Sequence, residues 1–146
     1  MTVESILKDH KGNLITCRPE DTIDTIAVIL TSKKIGALPV RDGERKLVGI
    51  ISERDIVRGL SEKGAPAIDL KVKDLMSSDV ATCKPADSIK DVIEIMERRH
   101  IRHLPVVKDG ELLDILSQRD VMKSRLELTE LETNVLRDRV RFVGPT

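Results

Sequence analysis

Apolar residues recur along this chain with two different periods. A helical spacing puts Ile23, Ile26, Ala27 and Leu30 on one face, and the same spacing returns at Ile89, Val92, Ile93 and Met96. Each helix follows a short β-type stretch that ends at Pro19 or Pro85, with Asp21 or Asp87 standing where an N-cap is expected. Each is followed by an apolar run, Ala37 to Val40 or His103 to Val107, and then by an Asp-Gly pair of the kind that turns a hairpin. The next runs, Leu47 to Ile51 and Leu112 to Leu116, are almost wholly apolar, which predicts strands buried on both faces. A further helix is predicted from Ser52 and from Ser117. Val3 to Leu7 and Val72 to Met76 match as short helical lead-ins. Beyond Val121, the spacing of Leu126, Leu128, Leu131, Val135, Leu136 and Val140 predicts an amphipathic helix that either packs on its own domain or joins two copies.

These elements occur twice because the chain repeats itself. Thr16-Cys17-Arg18-Pro19-Glu20-Asp21-Thr22-Ile23 returns as Thr82-Cys83-Lys84-Pro85-Ala86-Asp87-Ser88-Ile89. Ile35-Gly36-Ala37-Leu38-Pro39-Val40 returns as Ile101-Arg102-His103-Leu104-Pro105-Val106. A third block, Leu47 to Ile56, returns at Leu112 to Val121, with the spacing shifted by one residue in the Asp42-Gly43 and Asp109-Gly110 turns. A β-α-β-β-α unit of roughly 55 residues is too small to bury its sheet well alone. The expected architecture is therefore α+β: two pseudo-twofold-related units packed sheet to sheet, with a C-terminal helix. Repeat 1 covers 1–64, repeat 2 covers 65–126, and the amphipathic helix and tail occupy 127–146. Lys63-Gly64-Ala65-Pro66 has the composition of the connecting turn.

Composition narrows the function classes. The 146 residues are 40% hydrophobic, and 25 basic residues balance 25 acidic ones, so no basic face for nucleic acid is expected. Phe142 is the single aromatic residue, which removes the stacking platforms of single-strand binders. No N-terminal apolar run reads as a signal peptide and no stretch is long enough to span a bilayer. A cytoplasmic, reducing setting is expected, with Cys17 and Cys83 as small buried hydrophobes. His10, His100 and His103 make up the histidine set; His100 and His103 stand three residues apart, but the nearest further ligands are ordinary charged residues, so no metal site is expected. No nucleophile context and no Gly-rich phosphate loop is present, so an enzyme is not expected.

Chemistry concentrates in Ser52-Glu53-Arg54-Asp55 and its copy Ser117-Gln118-Arg119-Asp120. S-x-x-D ahead of an apolar run is a capping box that needs no ligand. Each copy also lies at the carboxyl end of an apolar strand, beside a helix N-terminus that favours phosphate. An aspartate there can accept both hydroxyls of a ribose, and the neighbouring arginine can neutralise phosphate charge.

The doubled pattern T-x-x-P, I-x-x-L-P-V and S-x-R-D after an apolar strand resembles the CBS domain, whose tandem pair is called a Bateman module. The likeness covers Val3 to Leu126. It implies a disc-like, often dimeric module that binds AMP, ADP, ATP, S-adenosylmethionine or NAD(H) between its repeats. Such a module regulates another protein and does no chemistry; the nucleotide is a regulatory ligand, not an obligatory cofactor. By that resemblance Asp55 and Asp120 would hold ribose, and Ser52, Ser117, Arg54 and Arg119 would lie on the phosphate side. Leu14, Val80, Ile35 and Ile101 would hold adenine, while Arg102 and His103 would place cations against phosphate. Thr16, Thr82, Gly36, Ala37, Pro39 and Pro105 complete the expected lining. Arg102 and His103 are expected to serve the site built on Asp55, making it the tighter one, against only Gly36 and Ala37 for the Asp120 site. Asp114 replaces the Gly49 of repeat 1. The rival expectation is a ligand-free oligomerising adaptor, in which the S-x-R-D motifs only cap helices.

Overall fold

The structure, a computed structural model, describes residues 1–8 and 14–142; the side chains of Leu128 and of residues 135–142 lie outside that description. In chain order the elements are α1 (Val3–Leu7), α2 (Ile23–Lys33), β1 (Ala37–Arg41), β2 (Leu47–Ser52), α3 (Glu53–Lys63), a 3-10 turn (Ala65–Asp69), α4 (Val72–Leu75), α5 (Ile89–Arg99), β3 (His103–Lys108), β4 (Glu111–Ser117) and α6 (Gln118–Phe142). This is the expected α+β arrangement, built from two antiparallel hairpins. In β1–β2, Ala37 faces Ser52 and Val40 faces Gly49; in β3–β4, His103 faces Ser117 and Val106 faces Asp114. Asp109 and Gly110 both have positive φ, 52° and 80°, as a two-residue type I′ hairpin turn requires.

Three local expectations change. The first β-type stretch of each repeat contracts to one parallel bridge, Cys17 with Val40 and Cys83 with Val106. Proline two residues on cannot extend a ladder, and the intervening amides of Arg18 and Lys84 donate instead to the carboxylates of Asp21 and Asp87, at 2.9 and 2.8 Å. Those aspartates therefore close the turn, and the N-caps fall one residue later, on Thr22 and Ser88. Of the two, Ser88 caps through its side chain, accepting from the Asp91 amide at 3.1 Å. The second strands are not buried on both faces. Ile51 and Leu116 are fully buried, but Val48 and Ile50 are half-buried and Leu113 is exposed. Each sheet is a two-stranded antiparallel hairpin whose first strand is buried at successive residues, Ala37 to Val40 and Leu104 to Val106, while the second strand is covered less completely.

Apolar side chains gather into two cores. One holds Cys17, Ile23, Ile26, Leu30, Leu38, Val40 and Ile51 of repeat 1 together with Val72 and Leu75 of α4. The other holds Cys83, Ile89, Val92, Met96, Leu104, Val106, Leu116 and Val121 of repeat 2 together with Val3 and Ile6 of α1. Each lead-in helix thus closes the core of the other repeat. Matching backbone bonds fix the exchange. The amides of Val3 and Glu4 donate to the carbonyls of Asp87 and Pro85 at 2.9 and 2.8 Å, and those of Val72 and Lys73 donate to Asp21 and Pro19 at 2.8 and 3.0 Å.

Helix α6 runs for 25 residues, about 37 Å at 1.5 Å per residue, so the second helix of repeat 2 and the tail helix are one element. Val121 is buried in the core, whereas Met122, Leu126 and Leu131 are exposed.

Between the repeats, Ser77 pairs with Ile50 through two backbone bonds of 2.9 and 3.0 Å, carrying Met76 over Gly49. A Cβ on Gly49 would stand 2.7 Å from Met76 Sδ and 2.8 Å from the Ser77 carbonyl oxygen. The backbone oxygen cannot swing away as a side chain could. Gly49→Ala is expected to lower stability by about 1–3 kcal/mol in urea denaturation, the usual cost of overpacking; an unchanged midpoint would show that the Met76–Ser77 segment yields freely.

Candidate functional site

Both S-x-R-D motifs start helices. In α3, Ser52 Oγ accepts from the Asp55 amide at 3.3 Å, and the Asp55 carboxylate accepts from the Ser52 amide at 2.8 Å, a complete capping box. In α6, the Asp120 amide donates to Ser117 Oγ at 3.0 Å and the Ser117 amide donates to the Asp120 carboxylate at 3.1 Å. The capping role is thus real in both repeats. What differs is the space in front of each carboxylate.

A cleft of about 1540 Å³ opens between the repeats in front of Asp120. Repeat 1 contributes Leu14, Ile15, Lys34, Ile35, Gly36 and Ala37; repeat 2 contributes Arg102, His103, Asp114, Ile115, Ser117, Arg119 and Asp120, with Lys123, Arg125 and Leu126 further along α6. An apolar wall therefore faces a helix N-terminus whose serine and aspartate lie beside several cations. That combination suits a ligand with a flat apolar end, a diol and an anionic end.

Asp55 is 6% exposed, and a smaller recess of about 310 Å³ reaches Arg54, Ile101 and Arg102 without reaching Ser52 or Asp55. Arg102 and His103, expected to serve Asp55, line the cleft that holds Asp120. The register explains His103, which pairs with Ser117 across β3–β4. Its ring also sits 3.1 Å from where a Cβ on Gly36 would stand, so the two repeats touch at this point.

Other expected residues lie elsewhere. Pro39 and Pro105 are buried, their carbonyls accepting from the Cys17 and Cys83 amides at 3.1 and 3.0 Å. Thr16 Oγ1 accepts from Arg41 Nη2 at 3.3 Å, and neither Thr16, Val80 nor Thr82 lines either cavity. Lys34, Lys123 and Arg125 belong to no repeated motif. Lys34 is notable as a left-handed C-cap, φ 54°, immediately before Ile35, a conformation visible only in the backbone.

Burial pushes the His103 imidazole below its ordinary range; Glu53 and Asp120 oppose that shift, and Arg102 adds to it. The Cys17 and Cys83 thiols are free, and burial aided by Asp21 and Asp87 pushes both up to about 12, which leaves them unreactive. His10 lies outside the described residues. Among the described residues no group of three His, Cys, Asp or Glu side chains is placed to hold a metal. No helix among them is long and apolar enough to cross a membrane.

A duplicated α+β unit with exchanged lead-in helices and a cleft between its copies defines a tandem-repeat module. The profile of the CBS domain matches residues 3–62 and 72–127, and the chain belongs to that family. It is 36% identical over 123 residues to an inosine-5′-monophosphate dehydrogenase of Methanocaldococcus jannaschii, a match covering 84% of this chain and 23% of that enzyme. It is 34% identical over 122 residues to an uncharacterized protein of the same archaeon, of which 42% is covered, so the chain spans less than half of these curated relatives. Among solved structures, a CBS-domain containing protein of Agrobacterium tumefaciens superposes with a TM-score of 0.82 at 32% identity, covering 86% of this chain and 99% of that one. The CBS domain pair of protein MJ0100, in complex with 5′-methylthioadenosine and S-adenosyl-L-methionine, superposes with a TM-score of 0.76 at 28% identity over 89% of this chain and 98% of its own. CBSX2 in complex with AMP gives 0.73 at 27% identity over 88% and 98%.

The folded chain binds the His103 proton less tightly than the unfolded chain, so the stability it confers is present above the ordinary value of about 6.5 and lost as pH falls through the lower, folded value. The melting temperature is expected to drop between about pH 7.5 and 5.5, with His103→Gln reducing the drop. Identical pH profiles for the two proteins would assign the titration to another group.

Proposed function

We propose that this chain is a regulatory module that binds an adenine nucleotide in the Asp120 cleft and transmits its occupancy to a partner protein. One observation carries the reading: the fold brings Leu14 and Ile35 of one repeat opposite Ser117, Arg119 and Asp120 of the other, with Arg102 and His103 alongside. Adenine would lie against the apolar wall, the ribose hydroxyls would donate to Asp120, and phosphate would meet the α6 N-terminus and the nearby guanidinium groups. The complexes of similar CBS pairs with AMP and with S-adenosyl-L-methionine support an adenine-bearing ligand. The candidates are AMP, ADP, ATP, S-adenosylmethionine and NAD(H), and the cations Lys34, Arg102, Arg119, Lys123 and Arg125 favour those that carry phosphate. Asp114 in the same cleft disfavours a phosphate placed beside it.

A ligand held by both repeats shifts their arrangement only through unequal affinity for two states. Helix α6 is the natural output, because it runs from Asp120 in the cleft to the exposed Leu126 and Leu131. We assign that apolar stripe to a second copy of the chain, making a homodimer, and place the module in the cytoplasm. The capping boxes favour one rival, the ligand-free adaptor, in which Asp55 and Asp120 serve their helices alone.

Calorimetric titration with these ligands, NAD and NADH taken separately, distinguishes the two. At least one is expected to bind in the micromolar range, and Asp120→Asn, which keeps the cap but loses the charge, is expected to weaken it about 10- to 100-fold, the usual worth of a charged hydrogen bond. Silence across the panel would leave the adaptor. Because phosphate would favour protonated His103, AMP is expected to tighten as pH falls from about 7.5 to 6 while adenosine stays flat; parallel behaviour of the two would remove His103 from the phosphate site.

A further inference from the structure

The two exchanged helices occupy matching places but are not fastened alike. Both are seated through their first amides, Val3 and Glu4 on the carbonyls of Asp87 and Pro85, Val72 and Lys73 on those of Asp21 and Pro19. To this α4 adds charge. Lys71 Nζ donates to Glu20 Oε2 at 2.7 Å, and Lys73 Nζ lies 3.1 Å from Glu20 Oε1, so one carboxylate holds the helix through both oxygens. A lone exposed ion pair contributes little, but a carboxylate shared by two lysines of one helix is a network. The matching positions around α1 carry Thr2, Glu4 and Ala86, which cannot form that triad. The chain beyond α4 is fastened as well, Ser77 pairing with Ile50 through bonds of 2.9 and 3.0 Å. In repeat 2 the matching amide, that of Ile115, donates instead to the neighbouring Asp114 carboxylate at 2.7 Å.

The more lightly held helix is the one beside the cleft. Val3 and Ile6 share a core with Met96 and Val121, and both of those also line the Asp120 cleft. A ligand in the cleft is therefore one layer of side chains away from α1. Among the described residues, no buried member of the core that α4 closes lines that cleft. We propose that α1 is a ligand-responsive clasp: it lifts from repeat 2 while α4 stays seated, and occupancy of the Asp120 cleft holds it down. Local opening starts where the fewest contacts and bonds resist it. Lifting withdraws Val3 and Ile6 from behind Met96 and Val121 and so loosens one wall of the cleft. A ligand that packs on the firm wall binds the seated state better and shifts the population toward it. The proposal rests on nucleotide binding at Asp120, and its test includes a comparison that needs no nucleotide.

Amide hydrogen exchange of the full chain, followed by NMR, compares four donors that have matching acceptors. Without ligand, Val3 and Glu4 are expected to be at least about tenfold less protected than Val72 and Lys73, well within the spread of local openings. Glu20→Ala gives repeat 1 the residue that repeat 2 already has, and is expected to remove most of the difference by lowering protection at Val72 and Lys73 alone. Equal protection of the two pairs in the unmodified chain, or no change at Val72 and Lys73 in Glu20→Ala, would overturn the unequal fastening. Saturating AMP, with S-adenosylmethionine run beside it, is expected to raise protection at Val3 and Glu4 about tenfold and by more than at Val72 and Lys73. A rise shared equally by all four amides is global stabilisation and would overturn the clasp. Failure of both nucleotides to bind would refute the nucleotide reading and the ligand response with it, whereas the unliganded comparison decides the fastening by itself.

Discussion

The carbonyls of Asp21 and Asp87 each accept the first amide of a helix that belongs to the other repeat, Val72 at 2.8 Å and Val3 at 2.9 Å, and the rest of the structure depends on that reciprocal exchange. A two-stranded hairpin with one helix behind it leaves its core open, and about 55 residues bury too little surface to hold such a unit on its own. The exchanged helices supply the missing side chains: Val72 and Leu75 to one core, Val3 and Ile6 to the other. Neither core is complete without the other repeat. Relative position of the repeats is therefore coupled to the stability of each.

The same coupling fixes where the chemistry can occur. Because the hairpins are held against each other, the starts of β1 and β3 meet, with the His103 ring against Gly36, and the cleft forms beside that contact. The residues in it already have structural duties. Ser117 and Asp120 begin α6, as Ser52 and Asp55 begin α3. Capping and ligand binding draw on one feature, a cluster of amides at a helix start with an aspartate beside it, so the two roles are compatible. The discriminating property is access: Asp120 lines a large cleft, while Asp55 is buried under Arg58 and the end of α4.

Much of this was legible in the chain. The three repeated blocks predict two like units; helical spacing places Ile23, Ile26 and Leu30, and Ile89, Val92 and Met96, on faces that are buried. Of the two Asp-Gly pairs, the one at 109–110 forms the tight hairpin with positive φ at both residues, whereas in the longer Arg41–Leu47 connection the positive φ falls on Arg45 and not on Asp42-Gly43. The S-x-R-D motifs locate both helix starts to the residue. These signals are local, and local rules read them. The N-caps fell one residue later than expected because the aspartates were taken up by amides in the preceding turn, a competition between two nearby donors that residue type does not decide.

Sequence by itself therefore determined the duplication, the identity of the elements, the apolar faces and the two candidate carboxylates, since each depends on residues near one another in the chain. Tertiary structure alone decided which helix closes which core, that the second strands are only partly buried on one of their faces, and that Arg102 and His103 join the Asp120 cleft. It also decided that Asp55 is buried, with the Arg58 guanidinium bonded both to its carboxylate and to the Leu75 carbonyl. Pairings across the two repeats are set by packing between distant segments, and two nearly identical motifs acquire different environments only when the chain has folded around them.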